Sequence, residues 1–506
     1  MTMEGLLHAS IQVILPNTIF FLVGGTVLGV ILGAIPGVTG AMGIALMLPL
    51  TFYMSLGNAL TLMVSMYVGA IAGGLVTAIL LRIPGEPSSI VTTFDGFPMA
   101  RKGQPGRALG YAVGAALFGG LVSWVALVAL TYPLSEIAAH LRPFDILALV
   151  MMALVLIAAL GQGSIAKGLV AGLLGILVSM PGTDPSTGAL RLTLGFHDMD
   201  AGFSTLSVLI GAYAVAQVLS DTIEIERKVE TVATTAGSMW ITMAEWRQQG
   251  WNLIRSSLIG TWVGIMPGIG ATVGSLTSYT VAKMLSRTPE KFGTGHPEGI
   301  VASECGNNAT VGGALVPMIA MGIPGSVTDV FLLAALIIHG LQPGPLLFTQ
   351  NPDIVYIIFS ACLISHFVLF AVMTVGIRYL IKLTTVPVWY LFPIILLFCL
   401  IGTFAENNRV FDVFIMLGFA VVGFAMEKTG FSLGAFVIGF ILGPITEKSL
   451  RAGLTLSDGS YLDLFMHPVS GVCVVLAAAM FVFSLRSQYR LNKQAADRAM
   501  AGVVEE

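Results

Sequence analysis

Long apolar runs, separated by short polar or Pro-Gly segments, dominate the chain. Eleven runs are long enough for membrane-spanning helices: residues 58–82, 108–132, 143–161, 164–180, 203–220, 300–323, 354–381, 388–404, 408–426, 431–446 and 468–485. Residues 18–53 and 254–284 are each divided by Pro-Gly into halves too short for two full crossings, which predicts re-entrant or broken-helix hairpins. The pattern therefore predicts an all-α polytopic membrane protein with about 11 transmembrane helices and two hairpins.

Composition excludes the other large classes of protein. Of the 506 residues, 56% are hydrophobic and only 10% are charged, whereas a soluble domain carries about 25% charged residues. This balance excludes an ordinary soluble enzyme and a disordered chain, and the net charge of −3 gives no reason to expect a nucleic acid as partner. The apolar runs are continuous and do not alternate with period two, which excludes an outer-membrane barrel.

Four landmarks occur twice, in the same order. They are Pro-Gly at 36–37 and 267–268, Gly-Gly at 73–74 and 312–313, Ile-Pro-Gly at 83–85 and 323–325, and Gln-Pro-Gly at 104–106 and 342–344. The offset between the copies changes only from 231 (Gly33 to Gly264) to 240 (Pro84 to Pro324). This order predicts an internal duplication, with membrane halves at 1–220 and 253–485, a cytoplasmic linker at 221–252 and a cytoplasmic tail at 486–506.

The distribution of basic residues predicts the orientation. Most of the 24 Lys and Arg fall on one side if the C-terminus is cytoplasmic and the N-terminus periplasmic, as the positive-inside rule favours. The short loop 53–57 then lies outside, whereas its basic counterpart 283–299 lies inside, so the two repeats are inverted. Inverted repeats with broken helices are typical of secondary transporters, whose sites lie where the breaks meet.

A Pro-Gly break inside the membrane frees backbone groups that can bind a ligand, because half-helix N-termini attract anions. Small hydroxyl residues follow these breaks, although each hydroxyl is also compatible with an ordinary helix cap and each break with a simple kink. The candidate substrate-binding residues are Pro36, Gly37, Thr39, Gly40, Pro84, Gly85, Ser88, Ser89, Pro267, Gly268, Thr272, Pro324, Gly325 and Ser326.

Carboxylates and amides inside apolar runs are candidates for cation coupling, because they are costly in a membrane. Glu304 with Asn307 and Asn308 forms one group, and Thr328 with Asp329 forms another. The alternative for Glu304 is a position at the level of the headgroups. These groups suit either Na⁺ or H⁺, so the coupling ion stays open.

Asp95 and Gly96 precede a basic segment and are candidates for a cytoplasmic gate, although topology alone explains the basic residues. No structural metal site, cofactor site or nucleotide-binding motif is recognisable, and a bound metal is limited to transient Na⁺. We therefore expect a protein that is not an enzyme and uses no cofactor. A membrane enzyme is the weakest of the alternatives.

Several of these motifs together resemble one family. They are the stretches 33–40, 84–103 (Pro-Gly-Glu-Pro-Ser-Ser-Ile-Val-Thr-Thr-Phe-Asp-Gly-Phe-Pro-Met-Ala-Arg-Lys-Gly), 292–299, 304–309 and 322–326. The combination is similar to the large membrane subunit, TctA, of the tripartite tricarboxylate transporters, over nearly the whole chain. The sequence departs from the family pattern at Ser303, where proline is expected, and at Cys305 and Gly306.

The resemblance implies the rest of the functional expectation. A TctA subunit would act with a small TctB-like membrane subunit and a TctC-like periplasmic solute-binding protein, in a bacterial inner membrane. It would import a small organic anion, such as a di- or tricarboxylate, by Na⁺ or H⁺ symport, with alternating access of the elevator type. The alternative is an ion-coupled carrier or channel that works without a binding protein.

Overall fold

The computed structural model describes residues 3–35, 38–160, 164–184, 187–223, 238–383 and 391–504. The helices are α1 (Met3–Ile14), α2 (Pro16–Ala34), α3 (Gly40–Thr51), α4 (Leu56–Leu81), α5 (Gly96–Arg101), α6 (Pro105–Ala139), α7 (Pro143–Leu160), α8 (Ile165–Val178), α9 (Thr205–Leu209), α10 (Ala216–Ile223), α11 (Met243–Ile265), α12 (Gly270–Leu285), α13 (Pro297–Met321), α14 (Val327–Ile338), α15 (Pro345–Gln350), α16 (Pro352–Leu383), α17 (Leu391–Asn407), α18 (Val410–Lys428), α19 (Leu433–Leu456), α20 (Asp463–Met466) and α21 (Pro468–Val504). One π-helical segment, Ile210–Val215, joins α9 to α10.

The fold is that of an all-α polytopic membrane protein, as predicted. Within the described residues, seven helices are long and apolar enough to cross a membrane. Six shorter apolar helices accompany them. Two short strands, β1 (Gly182–Thr183) and β2 (Leu190–Arg191), pair antiparallel. The number of eleven crossings and the inverted repeats remain predictions.

The helices are interrupted where the Pro-Gly motifs lie. α2 is followed by α3, and α11 by α12, after breaks of a few residues. α4 is followed by the 3₁₀ turns Pro87–Ser89 and Val91–Phe94, and α13 by α14. Helix α14 was not predicted as a separate element, because a twelve-residue apolar helix is too short to be recognised as a membrane crossing.

The described residues form two compact units, one of residues 1–139 with 204–424 and one of residues 140–203 with 425–506. In the first unit, α4 is buried from Ala59 to Leu81 and α13 along nearly its whole length. Both helices are rich in small residues, which allow close helix approach. α4 packs against α2, and α13 packs against α6, α11 and α12.

The second unit is built from α7, α8, α19 and α21 with the short β-hairpin. Arg191 of β2 pairs with Glu447 of α19 at 2.5 Å, and Asp184 pairs with Arg451 at 2.7 Å. These ion pairs attach the hairpin to α19.

Candidate substrate and cation site

The N-terminus of the half-helix α3 holds a carboxylate. Thr39 caps this helix, since its hydroxyl accepts the N–H of Met42 at 3.2 Å. The N–H of Gly40 donates to Oε2 of Glu86 at 2.6 Å. The first N–H groups of a helix have no partner inside the helix and lie at the positive end of its dipole. The N-terminus of α3 therefore holds an acidic side chain of the protein itself.

The first and second breaks lie against each other. A Cβ at Gly85 would collide with the carbonyl of Gly33 and come within 2.9 Å of the Thr77 hydroxyl. A Cβ at Gly74 would lie 2.6 Å from the backbone nitrogen of Glu86 and 2.7 Å from the hydroxyl of Ser89. Glycine at 74 and 85 therefore allows the chain after α4 to fold back onto α2 and α4.

The third and fourth breaks are also joined. The N–H of Gly268 donates to the carbonyl of Gly325 at 2.8 Å. Gly268 has a φ of 74°, which glycine adopts without strain. Ser326 caps α14 by accepting the N–H of Asp329 at 3.3 Å. The hydroxyl of Ser326 also lies 3.0 Å from the hydroxyl of Tyr67 in α4, so the fourth break contacts the predicted first half.

Glu304 lies on α13 and is fully buried. The Thr92 hydroxyl donates to Oε1 of Glu304 and lies 3.0 Å from the hydroxyl of Ser303. The amide of Asn308 donates to the Glu304 carbonyl at 3.0 Å and approaches Oε2 at 3.4 Å. Asn307 donates to the carbonyl of Ile71 at 3.3 Å. The carboxyl group of Glu304 is therefore within the protein and has polar partners.

Several buried oxygens of these residues lack a hydrogen-bond partner of normal geometry among the described residues. They are Oδ1 of Asn307, Oδ1 of Asn308, both carboxylate oxygens of Asp329 and the hydroxyl oxygens of Ser88 and Ser89. A buried polar atom without a partner costs about 1–3 kcal/mol, so each oxygen needs a partner. Oxygen atoms are the ligands of hard cations. No group of three or more His, Cys, Asp or Glu that could hold a metal occurs in the described part of the chain.

Asp95 is a buried acceptor of several hydrogen bonds. Its Oδ1 accepts the N–H groups of Gly293, Gly295 and His296 at 2.9, 2.8 and 2.7 Å. Its Oδ2 accepts the hydroxyl of Tyr279 at 2.9 Å. The carboxylate thus attaches the segment before α13 to the start of α5.

The family model for the tripartite tricarboxylate transporter TctA family matches residues 19–438. The chain belongs to the TctA family. It is 31% identical over 478 residues, 94% of this chain and 95% of the relative, to an uncharacterized 52.8 kDa protein in the TAR-I ttuC′ 3′ region of Agrobacterium vitis. It is also 31% identical over 236 residues, 45% of this chain and 98% of the relative, to an uncharacterized protein in the TAR-II ttuC′ 3′ region of that organism. No solved structure matches significantly.

All the predicted site residues of this TctA chain that are described lie in its first unit. Pro36 and Gly37 lie outside the described residues. Ser88, Ser89, Thr328 and Asp329 are buried, whereas Thr272 is partly exposed. Pro84, Pro267 and Pro324 lie in the non-helical segments that follow α4, α11 and α13, and Gly96 is the first residue of α5. The roles assigned to these residues remain predictions.

The sequence analysis missed Glu86, Tyr67 and Tyr279. Glu86 follows Pro84-Gly85 directly, and an acidic residue beside a break in an apolar region was a signal that could have identified it. Tyr67 and Tyr279 lie inside apolar helices, where a tyrosine is usually a core residue. Only their hydrogen bonds to Ser326 and Asp95 distinguish them.

Proposed function

We propose that this TctA chain is the permease subunit of a binding-protein-dependent secondary transporter that imports small organic anions by Na⁺ or H⁺ symport. The observation that supports it most directly is the carboxylate of Glu86 at the N-terminus of α3, 2.6 Å from the N–H of Gly40. A half-helix end that binds a carboxylate of the protein has the chemistry to bind a carboxylate of a substrate.

The substrate site consists of the four breaks. A substrate carboxylate replaces Glu86 at the N-terminus of α3 and is released when Glu86 returns. Ser88 and Ser89, whose hydroxyl oxygens lack a partner among the described residues, contribute hydrogen bonds. The first break lies against the second at Gly33 and Gly85, and the third is bonded to the fourth from Gly268 to Gly325, which supports one site for each half.

Cation coupling uses the buried oxygens of the second half. Asp329 and the amide oxygens of Asn307 and Asn308 coordinate Na⁺ or, in the case of Asp329, take up a proton. Glu304 belongs to the same set, and its contact with Thr92 connects this set to the chain after the second break. Occupation by a cation supplies the partner that these oxygens lack.

The topology is part of the proposal. We infer about 11 crossings in two inverted repeats, halves at 1–220 and 253–485, a linker at 221–252 and a tail at 486–506. The N-terminus is periplasmic and the C-terminus cytoplasmic, in a bacterial inner membrane, and access alternates by an elevator movement. The helix interruptions at matching landmarks support the duplication.

The partners follow from family membership, since a tripartite system has other subunits. They are a small TctB-like membrane subunit and a TctC-like periplasmic solute-binding protein that delivers the substrate. Gating by Asp95 and Gly96 on the cytoplasmic side is the remaining predicted role. We expect no chemical reaction on the transported anion and no cofactor.

The test is uptake of labelled organic acids by cells that contain this chain and the small subunit, with and without the neighbouring soluble binding protein. Uptake that requires the binding protein, is driven by a Na⁺ or proton gradient and stops with an ionophore agrees with the proposal. Equal uptake without the binding protein indicates an autonomous carrier. An ion current with no associated solute indicates a channel, and both outcomes contradict the tripartite function.

A further inference from the structure

Two matched positions share an unusual backbone conformation. Arg82 ends α4 with φ 58° and ψ 19°, and Gly322 ends α13 with φ 72° and ψ 20°. The offset of 240 between Pro84 and Pro324 pairs these two residues. This left-handed region is natural for glycine and unfavourable for other residues. An arginine thus occupies a position at which glycine, present in the other copy, would be less strained.

The side chain of Arg82 lines a cavity of about 720 Å³ within the first unit. Arg101 and Lys102 line the same cavity, together with Pro84, Phe94 and Phe97 among others. The guanidinium groups of Arg82 and Arg101 lie 5.8 and 6.0 Å from the centre of the Phe97 ring. Both cations therefore lie beside this ring at the edge of one cavity, at the outer limit of cation–π contact.

No acidic residue lines this cavity, and within the described ranges neither arginine has a carboxylate within ion-pair distance. Asp95 does not line the cavity, and its carboxylate accepts hydrogen bonds from Tyr279 and from the backbone of residues 293–296 rather than from Arg82 or Arg101. Lys102 donates to the carbonyl of Thr294 at 2.7 Å, which leaves its positive charge uncompensated. Three exposed basic side chains therefore line a space that no acidic side chain lines.

We propose that this cavity is a binding site for a small organic anion with two or three carboxylates, and that Arg82 is a determinant of its affinity. Identifying that anion with the transported solute rests on the proposed function; anion binding itself does not. An arginine guanidinium binds a carboxylate in bidentate geometry. Arg101 and Lys102 supply positive charges for the additional carboxylates. The cavity adjoins Pro84, so an anion bound there lies next to the second break.

The anionic oxygens could also belong to a lipid phosphate, and the experiment separates these sources. The full chain is purified into nanodiscs of phosphatidylcholine alone, and citrate or acetate is titrated by calorimetry. We expect citrate to bind, acetate to bind much more weakly, and Arg82→Gly to weaken citrate binding by about tenfold or more, as expected for a lost charge-assisted contact. Arg82→Lys should retain part of the affinity.

Arg82→Gly is suited to this test because glycine removes the charge and also fits the backbone. Its midpoint of thermal unfolding should therefore not fall below that of the wild type, and Arg101→Gln provides a second variant within the cavity. Arg247→Gln, an exposed cation outside the cavity, controls for net charge.

Unchanged citrate affinity in both Arg82→Gly and Arg101→Gln overturns the proposal, as does an equal loss of citrate affinity in Arg247→Gln.

Phosphatidylglycerol that competes with citrate only in the wild type supports a shared anion site. Phosphatidylglycerol that binds through Arg82 when citrate does not overturns the proposal in favour of a lipid site. Organic-acid uptake with an unchanged half-saturating concentration in Arg82→Gly shows that the bound anion is not the transported solute and leaves the proposed function intact. Citrate binding that depends on Arg82, without any organic-acid uptake, supports the anion site and contradicts the proposed function.

Discussion

The carboxylate of Glu86 accepts the N–H of Gly40 at 2.6 Å, across 46 residues of sequence. The contact places an acidic group from the second break at the N-terminus of the half-helix that follows the first. It combines the two features expected of an anion site in a membrane carrier, free backbone N–H groups and the positive end of a helix dipole. In this structure the carboxyl group of Glu86 occupies this position.

Glu86→Gln should lower the half-saturating concentration of the transported anion and lower the maximal uptake rate. The neutral amide competes less well for the N-terminus of α3, so the substrate is held longer. Kinetics of uptake in vesicles measure both quantities. The interaction of a charge with a helix end contributes about 0.3–1 kcal/mol at exposed sites and up to about 2 in partly buried ones, so a shift of a few fold is expected. An unchanged or higher half-saturating concentration contradicts the exchange.

Gly85→Ala should impair both stability and transport. The added methyl group meets the carbonyl of Gly33, and overpacking of this kind costs about 1–3 kcal/mol. Thermal unfolding in detergent and uptake by the same preparation test it. Gly418→Ala is the matched control, because that exposed glycine of α18 has open space around its Cβ position. Equal behaviour of the two variants would show that the contact of the first two breaks is unimportant.

Glu304→Gln should change the cation dependence of uptake. A lost contact between a cation and a carboxylate corresponds to about 1.5–3 kcal/mol, or about tenfold to hundredfold in cation affinity. The measurement is uptake against Na⁺ concentration and against pH. Thr92→Ser retains the hydroxyl that donates to Glu304 and serves as the control, whereas Thr92→Val removes it. If the Na⁺ and pH profiles of Glu304→Gln match the wild type, Glu304 is not a coupling residue.

Asp95→Ala should destabilise the protein strongly, because it leaves four donors without their acceptor. Each buried group left unpaired costs about 1–3 kcal/mol. Asp95→Asn retains an acceptor oxygen and should cost less, and Tyr279→Phe, which removes one bond, should cost least. The order of the three unfolding midpoints tests this. Midpoints close to that of the wild type, with transport lost, would favour a gating role over a structural one.

Glu245 provides a test of pH dependence outside the predicted membrane spans. The hydroxyl and backbone N–H of Thr242, together with Arg107, lower the pKa of Glu245 to about 2. An ionised group with a lowered pKa stabilises the fold above its unfolded pKa of about 4.3 and loses this contribution as the pH falls towards the folded value.

The difference in unfolding midpoint between the wild type and Glu245→Gln should therefore be constant from about pH 8 to about pH 5 and shrink between about pH 4 and pH 2. Circular dichroism melts at several pH values measure it. Glu290→Gln, at a carboxylate for which no ion pair is found in the described structure, is the control and should show no such trend. A difference that grows on acidification contradicts the assigned contacts.

The sequence alone determined the class of protein, the positions of most helices and the four interruptions. The bilayer requires long continuous apolar runs, and Pro-Gly is unfavourable in the interior of a helix, so both properties are local and readable along the chain. α4, predicted at 58–82, is found at Leu56–Leu81, and α13, predicted at 300–323, at Pro297–Met321. The family motifs were equally local, and the TctA assignment is confirmed.

Only the tertiary structure decided which interruptions meet and which polar groups they bring together. Glu86 and Gly40, Ser326 and Tyr67, and Asp95 and Tyr279 are far apart in sequence, and no periodic pattern connects them. Their contacts depend on glycines that allow backbones to approach and on burial that obliges each polar group to find a partner. The surroundings of Arg82 were also decided by the tertiary structure. Its left-handed backbone and the cavity lined by three basic side chains and no acidic one are formed only when α4 and the loop before α13 pack together.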